Sequence, residues 1–239
     1  MRILHAHQVA AMNLLRGSLA TGHRRPMLQC PTGFGKTVLA AHIVRGALAK
    51  GNRVIFVVPS ISLIDQTVES FHADGITSVG VMQGIHEMTD PSQPVQVASI
   101  QTIKRRRIPD ANLVVVDEAH RWFEFMGQWM ARWDAVPFVG LSATPWTKGL
   151  GKHYDDLIVA ATTDDLIREG YLSKFRVFAP SKPDLSKVRT VAGDYHEGDL
   201  AEVMNQKALV ADLVSTWKQR ADGRPTLVFG VDRAHAKAI

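Results

Sequence analysis

The chain has 239 residues, 46% hydrophobic and 21% charged, enough to bury one large core or two small ones. No stretch approaches the roughly 18 apolar residues of a membrane span, Met1-Arg2-Ile3-Leu4-His5 lacks a secretory signal, and a single cysteine excludes an internal disulfide, all pointing to a reducing, cytoplasmic setting. The net charge of +5 sits in residues 1–150, where 15 Lys/Arg face 10 Asp/Glu, against 13 and 13 in 151–239; this suits a polyanionic partner and equally a solvated basic surface.

In chain order, apolar periodicity predicts a helix over 6–19, a strand over 26–29, a helix over 36–50 that stops at Gly51, and a strand over 53–58. There follow a helix over 62–71, strands at 79–82 and 95–98, a helix over 100–106, a strand over 112–116, a helix over 123–133 and a strand over 138–141. Alternation of this kind predicts an α/β lobe with a mostly parallel sheet. Residues 146–154, with two glycines, read as a connection. A short helix over 163–169 capped by Thr162 or Thr163, a strand over 175–179, a loop over 180–193, a helix over 207–220, a strand over 226–229 and a helix starting at Asp232 complete the pattern.

Two segments carry chemistry. Residues 30–37, Cys-Pro-Thr-Gly-Phe-Gly-Lys-Thr, form a phosphate loop between a strand and a helix. Gly33 and Gly35 free the backbone to converge on phosphate oxygens, Lys36 reaches the β/γ-phosphates, and the Thr37 hydroxyl ligates Mg²⁺. Cys30 replaces the usual first glycine and is read as a small packing residue. Eighty residues on, the apolar strand Leu113-Val114-Val115-Val116 ends in Asp117-Glu118-Ala119-His120, placing Asp117 to hold Mg²⁺ and Glu118 to deprotonate the attacking water. Together the segments imply ATP as substrate and Mg²⁺ as cofactor.

The ordered motifs resemble superfamily 2 helicases, in particular the DEAH-type DNA helicases and translocases of phages and bacteria. The resemblance implies a RecA-like P-loop NTPase lobe over 1–150, a connection and short helix over 151–173, and a truncated second RecA-like lobe over 174–239. It implies adenine recognition by Gln8 and nucleotide contacts from Pro31, Thr32, Gly33, Phe34, Gly35, Lys36 and Thr37. Val57-Val58-Pro59-Ser60 with Leu63-Ile64-Asp65-Gln66, and Ser99-Ile100-Gln101-Thr102, resemble the motifs that grip a nucleic-acid backbone, so Pro59, Ser60, Gln66, Ser99, Gln101, Thr102 and the adjacent Arg105 are the expected strand contacts. Ser142-Ala143-Thr144 resembles the motif that couples hydrolysis to movement, with His120 as its partner, and residues 226–229 with Asp232 and His235 resemble the opening motif of a second lobe. No residue matches the arginine that such lobes supply to phosphoryl transfer, so weak turnover by this chain alone is expected. DNA is favoured as the track; an RNA helicase, the motor of a restriction system and a non-catalytic ATP-dependent clamp are the alternatives.

Three further features have plainer readings. The run Lys104-Arg105-Arg106-Arg107 is either a phosphate contact or a solvated face. Trp122, Phe125 and Trp129 fall at the spacing of a buried stripe and are assigned to packing. His5 and His7, two apart on one expected helix, point to different faces and form no metal site.

Overall fold

A computed structural model of the chain describes residues 2–178, 182–191, 194–221 and 223–239. The chain divides into two compact units, Met1–Lys174 and Phe175–Ile239.

In the first unit the elements run α1 (Ala6–Ala20), β1 (Pro26–Gln29), α2 (Lys36–Leu48), β2 (Val54–Val58), a 3-10 turn (Ile61–Leu63), α3 (Ile64–Ala73), β3 (Val79–Met82), β4 (Val95–Ser99), α4 (Ile100–Ile103), β5 (Leu113–Asp117), α5 (Glu124–Arg132), β6 (Phe138–Ser142), β7 (Asp156–Val159) and α6 (Thr163–Arg168). The seven strands form one sheet in the order β3-β4-β2-β5-β6-β1-β7, and every pairing is parallel. A parallel sheet needs apolar cover on both faces, which explains the β-branched runs of β2 and β5.

Strand alternation divides the core in two. Val54, Phe56 and Val58 pack with Val115, Leu141 and the buried residues of α1, α2 and α3 on one face. Ile55, Val57, Val114 and Val116 pack with Met126, Trp129 and Phe138 on the other. Each fully buried Val, Ile or Phe of these layers contributes about 1.5–3 kcal/mol. The tryptophans follow the packing assignment: Trp129 is buried edge-on to Phe138 at 5.1 Å and to Trp133 at 5.6 Å, while Trp122 precedes α5 and stacks on His153 at 3.7 Å.

Several expectations need correction. Residues 151–173 are more than a connection with a helix, because Asp156–Val159 pairs with β1 and Leu166 of α6 enters the same core. The strand escaped sequence analysis because it lies at the sheet edge, where Leu157 and Val159 are both exposed. The helix expected over 100–106 stops at Ile103, with Ser99 capping it by accepting from Thr102 N at 3.2 Å. His5 and His7 do not diverge: His5 is the N-cap of α1, outside the helical twist, and the two rings stack at 5.8 Å.

The second unit contains a two-stranded hairpin, β8 (Thr190–Val191) with β9 (Asp194–Tyr195), and helices α7 (Glu197–Met204), α8 (Lys207–Arg220) and α9 (Arg233–Ala238). The hairpin and the start of α7 interrupt what was expected as plain loop and connection; part of that loop, residues 180–181 and 192–193, lies outside the described residues. The strand expected over 175–179 is not formed at 175–178, and Ala179 lies outside the described residues. Residues 226–229 are likewise unpaired, leaving Leu227 and Phe229 exposed, since β-propensity without a neighbouring strand gives no ladder. No helix among the described residues is long and apolar enough to cross a membrane.

Candidate functional site

Parallel pairing brings the ends of β1, β2, β4, β5 and β6 to one edge of the sheet, where the loops carrying chemistry emerge. After β1 the chain turns through Gly33 at φ 82° and Gly35 at φ 81°, the latter capping α2. Left-handed backbone at two alternate positions requires glycine. Both glycines are also covered: a Cβ on Gly33 would overlap Leu172 Cδ2, and one on Gly35 would overlap Gln8 Nε2. The N–H groups of Gly33, Gly35, Lys36 and Thr37 have no acceptor among the described residues, so four donors at the start of a 13-residue helix remain for an anion. Thr32, Gly33 and Thr37 are exposed, whereas Pro31 and Phe34 are buried and bonded to each other, Phe34 N donating to Pro31 O at 2.9 Å, so both shape the loop without a free donor.

Lys36 projects into the end of β5. Its Nζ lies 2.8 Å from Asp117 Oδ1 and is also paired with Glu118 Oε1. Burial pulls the Lys36 pKa down, but Asp117 and Glu118 together outweigh it and hold the ammonium above its ordinary value. Glu118 has φ 49°, the one positive φ among the described non-glycine residues, and its N–H returns to Asp117 Oδ1 at 3.0 Å. Such backbone costs of order 1–3 kcal/mol and is held here by two flanking bonds, Ala119 N to Leu141 O at 3.0 Å and Arg121 N to Glu118 O at 2.9 Å. The turn separates the two carboxylates while keeping both on one lysine. Lys36, Thr37, Asp117 and Glu118 line a common cavity of about 400 Å³.

His120 Nδ1 lies 3.0 Å from Ser142 Oγ and 3.4 Å from Glu118 Oε2. Ser142 is fully buried and its Oγ accepts from Thr144 N at 3.0 Å, so Ser142, Thr144 and His120 form one connected unit with Glu118. Ala143 is half-buried and makes no side-chain bond. The Ser142 carbonyl also accepts from Cys30 N at 2.7 Å, tying β6 to the start of the phosphate loop. Cys30 itself is buried, and burial pushes its thiol up to about 12, as a packing residue requires.

Gln8 sits next to the loop but does not present its amide to solvent. It is 1% exposed, its Nε2 donates to Phe34 O at 2.9 Å and its Oε1 accepts from His5 N at 2.8 Å. His7 Nε2 donates to the same carbonyl at 3.1 Å. In this arrangement Gln8 supports the phosphate loop from beneath; sequence had no signal for the second donor, His7.

The expected strand contacts separate into two groups. Val58 and Ser99 are in register on neighbouring β2 and β4, and Gln101 Nε2 donates to Pro59 O at 3.0 Å, so the two motifs form one continuous surface. Ser60, Gln101 and Arg105 are at least partly exposed there, with Thr102 half-buried. Ser99 is fully buried and occupied as the cap of α4, and Pro59 is buried, so neither side chain is available to a ligand. Gln66 lines the cavity shared with Lys36, Asp117 and Glu118. Arg106 and Arg107 turn to a separate cavity of about 430 Å³ with Gln96 and Asp110.

The profile of the family described as "Type III restriction enzyme, res subunit" matches residues 2–147, the span holding every motif above up to Thr144. The chain belongs to the type III restriction enzyme res subunit family. This placement agrees with a superfamily 2 helicase N-terminal lobe. Among relatives, a "51.5 kDa protein" of a Lactococcus phage (isolate 7-9) is 28% identical over 209 residues, covering 85% of this chain and 43% of the relative. The "Type I restriction enzyme EcoAI endonuclease subunit" of Escherichia coli is 24% identical over 273 residues, covering 98% and 33%. The crystal structure of T4 UvsW is similar at TM-score 0.55 and 17% identity, covering 100% of this chain and 49% of that one, a likeness of RecA-like fold. The chain spans less than half the length of the curated relatives it matches.

The hard-oxygen donor set fits Mg²⁺. Among the described residues Asp117 supplies a carboxylate and Thr37 an exposed hydroxyl with no intramolecular partner, while no group of three or more His, Cys, Asp or Glu could hold a metal alone. Mg²⁺ characteristically binds through one or two such ligands together with substrate phosphates.

Proposed function

We propose that this chain is the nucleotide-binding part of a nucleic-acid-dependent ATPase, a helicase or translocase, with DNA the favoured track. The observation that supports it most is Lys36 shared by Asp117 and Glu118 beneath four unspent backbone donors. A triphosphate seated on those donors competes for the Lys36 ammonium. As Lys36 turns to the β- and γ-phosphates, both carboxylates are released: Asp117 with Thr37 to hold the cation, Glu118 to accept a proton from the attacking water. When bound, Mg²⁺ neutralises charge on the phosphate oxygens. Water adds to the γ-phosphorus, the bond to the bridging oxygen breaks, and its electron pair leaves with ADP. His120, joined to Glu118 and Ser142, then senses the change at the hydrolysis centre and passes it to the Ser142-Ala143-Thr144 segment.

In this reading residues 1–150 are the ATP-binding lobe, extended by β7 and α6, and 174–239 open a second RecA-like lobe that begins with 226–229, Asp232 and His235. Ser60, Gln101, Thr102 and Arg105 contact the strand backbone. Gln8 reads adenine only by exchanging one of its present partners for the base. The family's description favours a restriction-system motor as the biological setting.

Steady-state ATP hydrolysis, without nucleic acid and then with single-stranded DNA, duplex DNA and RNA, tests the proposal. Slow basal turnover, raised by DNA, is the expected result; preferential stimulation by RNA would move the track to RNA. Glu118→Gln should lower turnover by about 10²–10⁴ while keeping ATP affinity. ATP binding whose nucleic-acid consequences survive Glu118→Gln unchanged would establish the non-catalytic clamp instead.

A further inference from the structure

Trp146 is an isolated large aromatic at 66% exposure in the loop between β6 and β7. Its neighbours are held firmly. Pro145 and Leu150 are buried, Thr147 Oγ1 donates to His120 O at 2.9 Å, and Leu150–Lys152 forms a 3-10 turn. The loop is therefore fastened to the hydrolysis centre on one side of Trp146 and to the core on the other, while the indole itself makes no ring contact among the described residues.

The surroundings are cationic. Arg121 follows His120 directly and so lies beside the Thr147 contact; Lys148 and Lys152 are in the same loop. All three are exposed, and among the described residues none is in an ion pair. His153 registers the field: burial, then the charges of Arg25 and Lys152, hold its imidazole below the ordinary value. Of the acids adjoining the loop in sequence or through Glu118, Glu118 is paired with Lys36, while Asp155, which accepts from the backbone N–H groups of Arg24 and Arg25, and Glu124, at the start of α5, are exposed. A rigidly presented aromatic amid unpaired cations is the chemistry that binds single-stranded nucleic acid, by base stacking with phosphate neutralisation.

We propose that Trp146 is a base-stacking platform for single-stranded nucleic acid on the loop tied to the His120 carbonyl. The inference rests on the ATPase reading above and adds a site outside its strand-gripping motifs. The loop leaves the same sheet edge as Gln101 and Arg105, three strand spacings away from β4 to β6, about 14 Å, which a single strand covers in roughly four stacked nucleotides. One strand can thus span both contacts. Because Thr147 holds the carbonyl of His120, a base stacked on Trp146 would bear on the hydrolysis centre through one residue and one hydrogen bond.

The test is fluorescence anisotropy of a labelled oligo-dT of about twelve nucleotides binding to the full chain and its variants. Trp146→Ala should weaken binding roughly 5- to 100-fold, and Trp146→Phe, which keeps a π-face, should recover most of it. Trp146→Ala should leave the slope of log affinity against log salt unchanged, since stacking releases no counterion, whereas Lys148→Gln should make it shallower by about 0.7. Oligo-dT affinity equal to wild type in Trp146→Ala would overturn the platform and leave the ATPase reading standing. Loss of ATP affinity in step with oligo-dT affinity would show a collapsed hydrolysis centre and would also overturn it. A wild-type chain that binds no oligo-dT would overturn the platform, while the ATPase reading is judged separately by turnover with duplex DNA and RNA.

Discussion

Lys36 Nζ and Asp117 Oδ1 are 2.8 Å apart, and the same ammonium pairs with Glu118, so one cation is shared by the two acids of the hydrolysis centre. Side chains of Lys36, Asp117 and Glu118 are 20%, 21% and 30% exposed, partly shielded from solvent screening. Lys36→Met should lower ATP affinity by about 10-fold or more, and should cost about 1 kcal/mol of stability because two neighbouring carboxylates lose their counter-ion. Isothermal titration with ATP and urea unfolding check the two parts separately.

Gly33 combines a φ of 82° with contact to Leu172. Gly33→Ala should destabilise by about 1–3 kcal/mol, from left-handed strain and overlap together. Adding Leu172→Ala removes the overlap but not the strain, so the double variant should regain part of the loss. Full recovery in a double-mutant cycle would show that strain contributes nothing.

Ser142 is buried and bonds both His120 and Thr144 N. Ser142→Ala leaves that N–H without its acceptor at a cost of about 1–3 kcal/mol, visible as a lower urea midpoint. It also frees His120, so nucleic-acid-stimulated turnover should fall more than basal turnover. Equal loss in both would make Ser142 a packing residue only.

Cys30 gives a pH signature. In the folded chain burial pushes its thiol from 9.0 up to about 12, so above pH 9 the unfolded chain loses a proton that the folded chain retains. Stability therefore falls as pH rises from 9 toward 12, at most about 1.4 kcal/mol per pH unit from this group. The raised pKa of Lys36 acts in the same direction above its ordinary value of 10.5, its contribution being complete below that pH and lost as pH climbs through the folded value. Urea midpoints measured from pH 8 to 11 should decline, and Cys30→Ala should flatten the part beginning near 9.

The legible parts of the chain were those whose spacing is tied to chemistry or to burial on both faces. Strands β2 and β5 are continuous apolar runs, and the loop after β1 needs its glycines wherever it occurs. Strand β7 was missed because Leu157 and Val159 face outward at the edge, giving no apolar run. The opposite error arose at 226–229, whose apolar residues read as a strand but find no partner to pair with. Within the site, residue type identified Lys36, Asp117, Glu118 and His120, yet could not show that Ser99 is spent on a helix cap or that Gln8 is turned under Phe34. Those are facts of hydrogen-bond allocation, which one-dimensional spacing does not carry.

The position of β1 between β6 and β7 has a consequence for assembly. Both neighbours of this strand lie more than a hundred residues downstream, Met27 pairing with Gly140 on one side and Leu157 on the other. As the chain emerges from the ribosome, β2, β4 and β5 can associate early, whereas the strand that leads into the phosphate loop finds its first neighbour only at residues 140–142 and its second at 156–159. Such long-range pairings slow folding, and an unpartnered central strand invites association with other chains in the interval. A chain ending at residue 150 would hold that intermediate open permanently, with one edge of β1 bare. It should aggregate during refolding at concentrations where a chain ending at residue 174 stays monomeric, which light scattering would distinguish.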